Sequence, residues 1–373
     1  MSDVRRIVIP APDNWHCHLR EGPLMNFMID HLIESGFRGR VLAEPNLKDP
    51  LLFGHQSVAY KRKIDSALQL RRSTLIDPKK HKQFEVVMTI QITEKTTSQM
   101  IYEAYELGVK VGKVYPRDVT TNSENGVVDY EKIYPALTAA QECGMIVQFH
   151  GEHPSHDVEG RDKEAFFIRR IMDQIVAECK SLKISLEHIS TAFAAHWVKT
   201  QDKDENGKVR IVGGLAPQYL YCTQDDVLGY TARSEYKGHT ELICKPMLKW
   251  NPDRAALQKA AISGEPCFVF APDDAPHFDS DKGPGKANCG VFHTTESLAM
   301  TAEVFEKRNA LDKFPVFFGA GVFFYGYPPN EEFITLERED WQVPLKYPVE
   351  GTEERVTPAL PGRTLKWKVK LVD

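Results

Sequence analysis

The stretch Asp13-Asn14-Trp15-His16-Cys17-His18-Leu19-Arg20-Glu21-Gly22 carries the densest chemistry in the 373-residue chain. Residues at i and i+2 of an extended strand point to the same side, so His16 and His18 present two imidazoles together. Neutral imidazole is a common zinc ligand, and Arg20, two residues on, offers a planar fork that matches a carboxylate. Cys17, between the histidines, points the other way and is expected in the core. Alone, such a pair is a weak signal. Its weight comes from where other polar residues fall.

Those residues are Asn46, Lys113, His150, His188 and Asp273, each closing a short apolar run. Histidine and aspartate suit zinc. Two divalent cations held close together can share a hydroxide whose proton they have made easy to remove. A lysine ammonium cannot coordinate a cation, but carboxylated by carbon dioxide it becomes an anionic carbamate with two oxygens that can bridge both metals. Lys113 is expected to carry that modification. His153 and His156 lie beyond the run ending at His150 and are expected in a loop.

The elements that must position these groups alternate between apolar runs and amphipathic segments. Arg6–Pro10 is expected to be the strand leading to the histidine pair, with the Gly22-Pro23 break after it. Strands are expected over 38–46, 84–92, 108–116, 144–150, 182–188, 210–216 and 266–273, with helices over 23–36, 55–71, 95–107, 129–142, 162–179, 190–199, 253–262 and 293–308. Eight strand–helix repeats predict an α/β fold, a (β/α)8 TIM-type barrel, in which every strand's C-terminal end lies on one face. The polar strand ends would then converge. Without a compositional break, one domain is expected over 1–373, with the barrel core at about 5–335 and a short C-terminal extension at about 336–373. There Leu365–Leu371 alternates like an edge strand, placed against the barrel's outside or at a subunit contact.

Composition removes other classes. A formal charge of -5 gives no electrostatic case for nucleic acid or an anionic membrane. No apolar run approaches the roughly 20 residues of a membrane span. The N-terminal Met1-Ser2-Asp3-Val4-Arg5-Arg6 has no apolar segment of secretory type. The seven cysteines are scattered with no Cys-x-x-Cys pair, which points to free thiols in a reducing cytosol and a cytoplasmic protein.

Taken in order, His16-Cys17-His18-Leu19-Arg20-Glu21-Gly22, Glu44-Pro45-Asn46-Leu47, Gly112-Lys113-Val114-Tyr115-Pro116, Val119-Thr120-Thr121-Asn122-Ser123, His150-Gly151-Glu152, Leu186-Glu187-His188 and Asp273-Asp274-Ala275-Pro276-His277 resemble the dihydroorotases, in the shorter free-standing class of the amidohydrolase superfamily. The resemblance covers residues 13–292. His-x-His-x-Arg marks only the superfamily. Lys-x-Tyr-Pro followed by Thr-Thr-Asn-Ser, and Asp-x-Ala-Pro-His, are far more specific.

The resemblance implies a small-molecule enzyme interconverting N-carbamoyl-L-aspartate and L-dihydroorotate plus water in pyrimidine biosynthesis. The runner-up is a related binuclear enzyme opening another carboxylate-bearing cyclic amide or imide. It implies two zinc ions per chain. His16, His18 and Asp273 would hold one, His150 and His188 the other, with carboxylated Lys113 between them. Asp273 would also be the general base and acid. Arg20, Asn46 and His277 would bind the substrate carboxylate, and groups near Cys289 and Lys245 would meet the ring. Thr120 and Thr121 would lie in a mobile loop over residues 117–127, and the enzyme would be a homodimer. Three positions depart from the family pattern: Glu44 replaces the usual methionine, Asp274 adds a carboxylate beside Asp273 that could raise its pKa, and Tyr219 stands where histidine is frequent.

Overall fold

Strands that are apolar along both faces need cover on both, which parallel sheets receive from crossover helices. The computed structural model describes residues 4–74, 84–201, 203, 207–229, 238–283, 286 and 288–371. Met1–Asp3, part of the N-terminal stretch considered above, lie outside them. After β1 (Arg6–Pro10), the strands β2 (Asn14–Cys17), β3 (Arg40–Ala43), β4 (Glu85–Ile92), β5 (Val111–Val114), β6 (Ile146–His150), β7 (Ile184–Glu187), β8 (Ile211–Leu215) and β9 (Phe268–Phe270) follow in order. Strands β2 to β9 form one eight-stranded parallel sheet in sequence order. Its ends meet where the chemistry was expected. The His18 amide donates to the Asp274 carbonyl at 2.8 Å, and the Asp273 amide to the His16 carbonyl at 3.0 Å. The expected α/β barrel is therefore present, drawn together by backbone bonds of its candidate ligands.

Two expectations change. Arg6–Pro10 is a strand but does not lead the histidines into the barrel. It pairs antiparallel with β10 (Phe333–Gln342). A short hairpin of β11 (Tyr347–Pro348) and β12 (Arg355–Val356) follows, and β13 (Thr364–Lys370) then pairs with the other edge of β10. Pro10 lacks an amide donor, which an edge strand such as β1 tolerates. The barrel strand is the shorter Asn14–Cys17, buried throughout and so without an alternating pattern to reveal it. The small sheet thus joins the N-terminal strand to the C-terminal extension, and β10 straddles residue 335.

The second change is the helix Phe314–Tyr325, which follows the last expected helix, 293–308, and is not among the expected elements. It is apolar nearly all round, so no periodic stripe marks it. Its last turn explains the apolarity: Val322, Phe324 and Tyr325 pack with Trp15, Leu42, Val87, Val111, Ile146, Val212 and Val269 as a floor inside the barrel. Tyr325 stacks on Trp15 with ring centroids 4.2 Å apart, and its hydroxyl accepts from Gln148 Nε2 at 3.0 Å. Truncating a buried aromatic removes both its transfer energy and its packing. Tyr325→Ala is expected to lower unfolding stability by about 3 kcal/mol, read from denaturant titration.

Above the floor the interior turns polar. Gln91, Lys113, Gln148 and Ser185 are successive register partners across β4 to β7, and all are buried. Register partners in a parallel sheet share a face, so this layer forms the base on which the site stands.

Candidate active site

The strand ends deliver the expected groups around one narrow cavity. Its walls include His16, His18, Arg20, Asn46, Thr120, Thr121, His150, His188, Lys245, Asp273 and Cys289. Lys113 is wholly buried beside it, and His277 stands behind Arg20. His153, His156, Tyr219 and Asp274 are not among the lining residues. Cys17 is buried in the core, as expected.

Three of these residues hold left-handed backbone: Arg20 at φ 60°, His188 at φ 37° and Asp273 at φ 56°. Non-glycine residues pay of order 1 kcal/mol for this conformation, and it persists where surroundings fix it. Its effect is visible at β7. Simple alternation would send Glu187 and His188 to opposite faces. Instead Glu187 Oε2 lies 2.6 Å from His16 Nδ1, while the His188 and His16 ring centroids are 5.3 Å apart. Both consecutive side chains reach His16. At Arg20 the Tyr60 hydroxyl donates to the backbone carbonyl and helps hold the turn.

Asp273 Oδ1 lies 3.3 Å from His16 Nε2 and 3.2 Å from His18 Nε2. His16, His188 and Asp273 also offer ligand atoms that all lie within 4.8 Å of one another. Burial, followed by the charge of Lys113 and neighbouring imidazoles, holds the His16 pKa well below its ordinary value. Burial, then the positive charge of Arg20, lowers His18 to about 3. Burial and His150 lower His188 well below the usual range. These imidazoles are neutral near pH 7, with ring lone pairs to offer. Glu187 orients His16 through Nδ1, and Glu152 Oε2 engages His150 Nε2 at 2.7 Å, leaving Nδ1 as the second ring nitrogen of His150. Carboxylates behind imidazoles fix tautomer and ring direction at metal sites.

A metal also fits the unmet valences. His16 Nε2, Glu44 Oε1, Lys113 Nζ and His188 Nδ1 are buried without a hydrogen-bond partner. An unpartnered buried polar group costs roughly 1–3 kcal/mol. Several of them within one cluster of neutral nitrogens and carboxylates form the donor set that a divalent cation satisfies.

Burial pushes the Asp273 carboxyl up to about 7, against the charges of Lys113, His293 and His150, and Asp274 raises it further. Asp274 is balanced from behind. His293 Nδ1 lies 2.8 Å from its Oδ1, Asn14 Nδ2 donates to its Oδ2 at 3.1 Å, and His293 Nε2 lies 2.8 Å from Gln218 Oε1. At the rim, Arg20 Nη2 donates to His277 Nε2 at 3.0 Å and Arg20 Nε to the Pro276 carbonyl at 3.2 Å. Burial and Arg20 together hold His277 well below the usual histidine range, and so neutral. Thr121 spans the opening: its carbonyl accepts from Asn46 Nδ2 at 3.0 Å and its hydroxyl donates to the Cys289 carbonyl at 3.2 Å.

No family model matches the chain. Individual relatives decide the matter. A dihydroorotase of Marinobacter nauticus is 33% identical over 366 residues, covering 98% of this chain and 99% of the relative. One from Cupriavidus necator is 34% identical over 368 residues, with the same coverage. The chain belongs to the dihydroorotase family. A solved dihydroorotase from Saccharomyces cerevisiae, in complex with 5-fluoroorotic acid, superposes with a TM-score of 0.85 at 27% identity, covering 98% of this chain and 99% of that one. Dihydroorotases are hydrolases of cyclic amide bonds in the amidohydrolase superfamily, and membership brings with it a metal cofactor and a small-molecule substrate.

Several residues acquire partners here that the dihydroorotase motifs alone did not show. Glu187 and Glu152 stood in the quoted motifs without a role; each sits within two residues of a ligand histidine, and that adjacency was the available signal. His293 and Gln218 lay outside any motif. Gly290, beside Cys289 on the wall expected to meet the ring, gains a packing reason. A Cβ there would fall 2.6 Å from the Ala275 carbonyl oxygen and 2.9 Å from His277 Nε2. Gly290→Ala is expected to displace His277 and raise KM for the carboxylate-bearing substrate about tenfold, the loss of one well-placed hydrogen bond. Steady-state kinetics check this. An unchanged KM would mean the wall yields.

Proposed function

We propose that the chain is a binuclear zinc dihydroorotase, reversibly interconverting N-carbamoyl-L-aspartate and L-dihydroorotate plus water. The observation that carries it is the convergence of His16, His18, Lys113, His150, His188 and Asp273 beside a rim bearing Arg20 and His277. His16, His18 and Asp273 would hold one cation and His150 and His188 the other, with carboxylated Lys113 between. When bound, the cations supply a polarised ring carbonyl and a water whose proton is easily removed.

The chain's own residues do the rest. Asp273 takes the proton from the attacking water and delivers it to the departing amide nitrogen, so one carboxylate serves as base and then acid. Arg20 exchanges His277 for the substrate carboxylate and grips it through two parallel N–H donors. His277 and Asn46 complete that grip as neutral donors. Lys245 and the backbone around Cys289 face the ring. The segment 117–127, closed by the Thr121 bonds, keeps water from the cavity and opens by breaking them for release. A homodimer in the cytoplasm belongs to the same account; the seven free thiols suit a reducing compartment and do not bear on the assembly. Tyr219, with its hydroxyl on the Pro246 carbonyl, and Asp274, held by His293, contact neighbours behind the wall, so neither favours a different substrate.

The test is ring opening of L-dihydroorotate beside a panel of cyclic ureides and imides. Turnover of dihydroorotate well above the panel is expected; preference for another member would replace the substrate and keep the site. Intact mass should show one carbon dioxide on Lys113. Lys113→Ala should lose metal, and short-chain acids should restore it.

A further inference from the structure

Glu44 is wholly buried at the end of β3, and its two oxygens have different surroundings. Oε2 accepts from the Tyr115 hydroxyl at 2.8 Å and lies 3.3 Å from Lys113 Nζ. Oε1 has no hydrogen-bond partner. It faces His16 Nε2 at 3.6 Å, and that nitrogen has none either. His16 engages Glu187 through Nδ1, which leaves Nε2 as the ring nitrogen turned to Glu44. Two buried polar atoms without hydrogen-bond partners thus face each other. His16, Glu44 and Glu187 offer ligand atoms all within 4.8 Å of one another, and Glu187 is already on the far ring nitrogen.

We propose that Glu44 is itself a ligand of the metal centre, its Oε1 joining His16 Nε2 on the cation that His16 holds. Nitrogen and oxygen ligands each about 2.1 Å from one zinc stand roughly 3–3.5 Å apart at angles from about 90° to tetrahedral, and farther apart at wider angles. His16 Nε2 and Asp273 Oδ1 are 3.3 Å apart and His16 Nε2 and Glu44 Oε1 3.6 Å, so each oxygen stands at a co-ligand's distance from the same imidazole nitrogen. Charge points the same way. A carbamate on Lys113 would bring a second anion against Glu44, and like charges at that separation repel strongly inside a barrel. A cation held by both relieves this. Tyr115 fixes Oε2, so the carboxylate is presented through one oxygen without reorganisation. The inference rests on the two-metal account above and adds a ligand to it.

The experiment uses the full chain reconstituted with zinc or cobalt, in wild type, Glu44→Met (similar length, no oxygen) and Glu44→Gln (same shape, no charge). Zinc affinity is read by chelator competition and coordination by the visible spectrum of the Co(II) form. Loss of one ligand should weaken the cation held through His16 by at least about tenfold, the low end of what even outer-shell changes cost. The Met variant's cobalt absorption should strengthen as coordination number falls, and the Gln variant should fall between it and wild type. Equal affinities and an unchanged spectrum in both variants overturn the proposal and leave the two-metal account standing. If Met fails to fold, the Gln variant decides by itself. Wild type that binds no metal overturns the two-metal account, and this ligand with it.

Discussion

Asp273→Asn is expected to lower kcat for ring opening by about 10³-fold or more, the range of a lost general acid–base group. Asparagine keeps the shape and one oxygen near His16 and His18, so the variant isolates proton transfer from folding. Asp273 Oδ1 stands within 3.3 Å of both imidazole nitrogens, the wild-type carboxyl is pushed up to about 7 by burial, and Asn14 and His293 steady the neighbouring Asp274. The fall should appear in kcat and kcat/KM alike, because the proton moves only during reaction. Elemental analysis on the same sample separates this from metal loss. A variant that keeps its metal and turns over within tenfold of wild type would remove Asp273 from the proton path.

The second large effect belongs to Arg20. Arg20→Met is expected to raise KM by about 10–100-fold with little change in kcat, since a charge-assisted bond contributes roughly 1.5–3 kcal/mol in both ground and transition states. Arg20→Lys should recover only part, because an ammonium cannot reproduce the fork. Both replacements inherit the left-handed backbone at φ 60°, so strain is common to the pair and cancels in their comparison. Dihydrouracil, which has the ring without the carboxylate, gives an internal control. Its slow turnover should be the same in wild type and variant. A matching loss on dihydrouracil would mean Arg20 supports the wall rather than the carboxylate.

The residues that end strands were the legible part of this site. His150 and Lys113 sit in strands of ordinary apolar composition, and a polar group closing such a run on a barrel has one face to go to. The arrangement among them was not legible, for physical reasons. Left-handed residues at 20, 188 and 273 break the two-residue period, so reach into the cavity could not be counted from sequence. Glu44 was visible as a departure, but its contact with His16 joins two strands through side chains and leaves no trace in spacing. In the fold, β1 pairs with β10 more than 320 residues later, and antiparallel partners so distant carry no local mark of each other. The helix Phe314–Tyr325 was hidden by its own apolarity, since its exposed Val316 and Phe323 are as apolar as its buried face and leave no stripe.

The most direct measurement follows L-dihydroorotate ring opening and zinc content on the same sample as zinc is removed and restored in the presence of bicarbonate. Turnover that rises with zinc to a plateau near two ions per chain, and that is absent from Lys113→Ala until a short-chain acid is added, is the predicted result. Full turnover in chelated, zinc-free protein would contradict it.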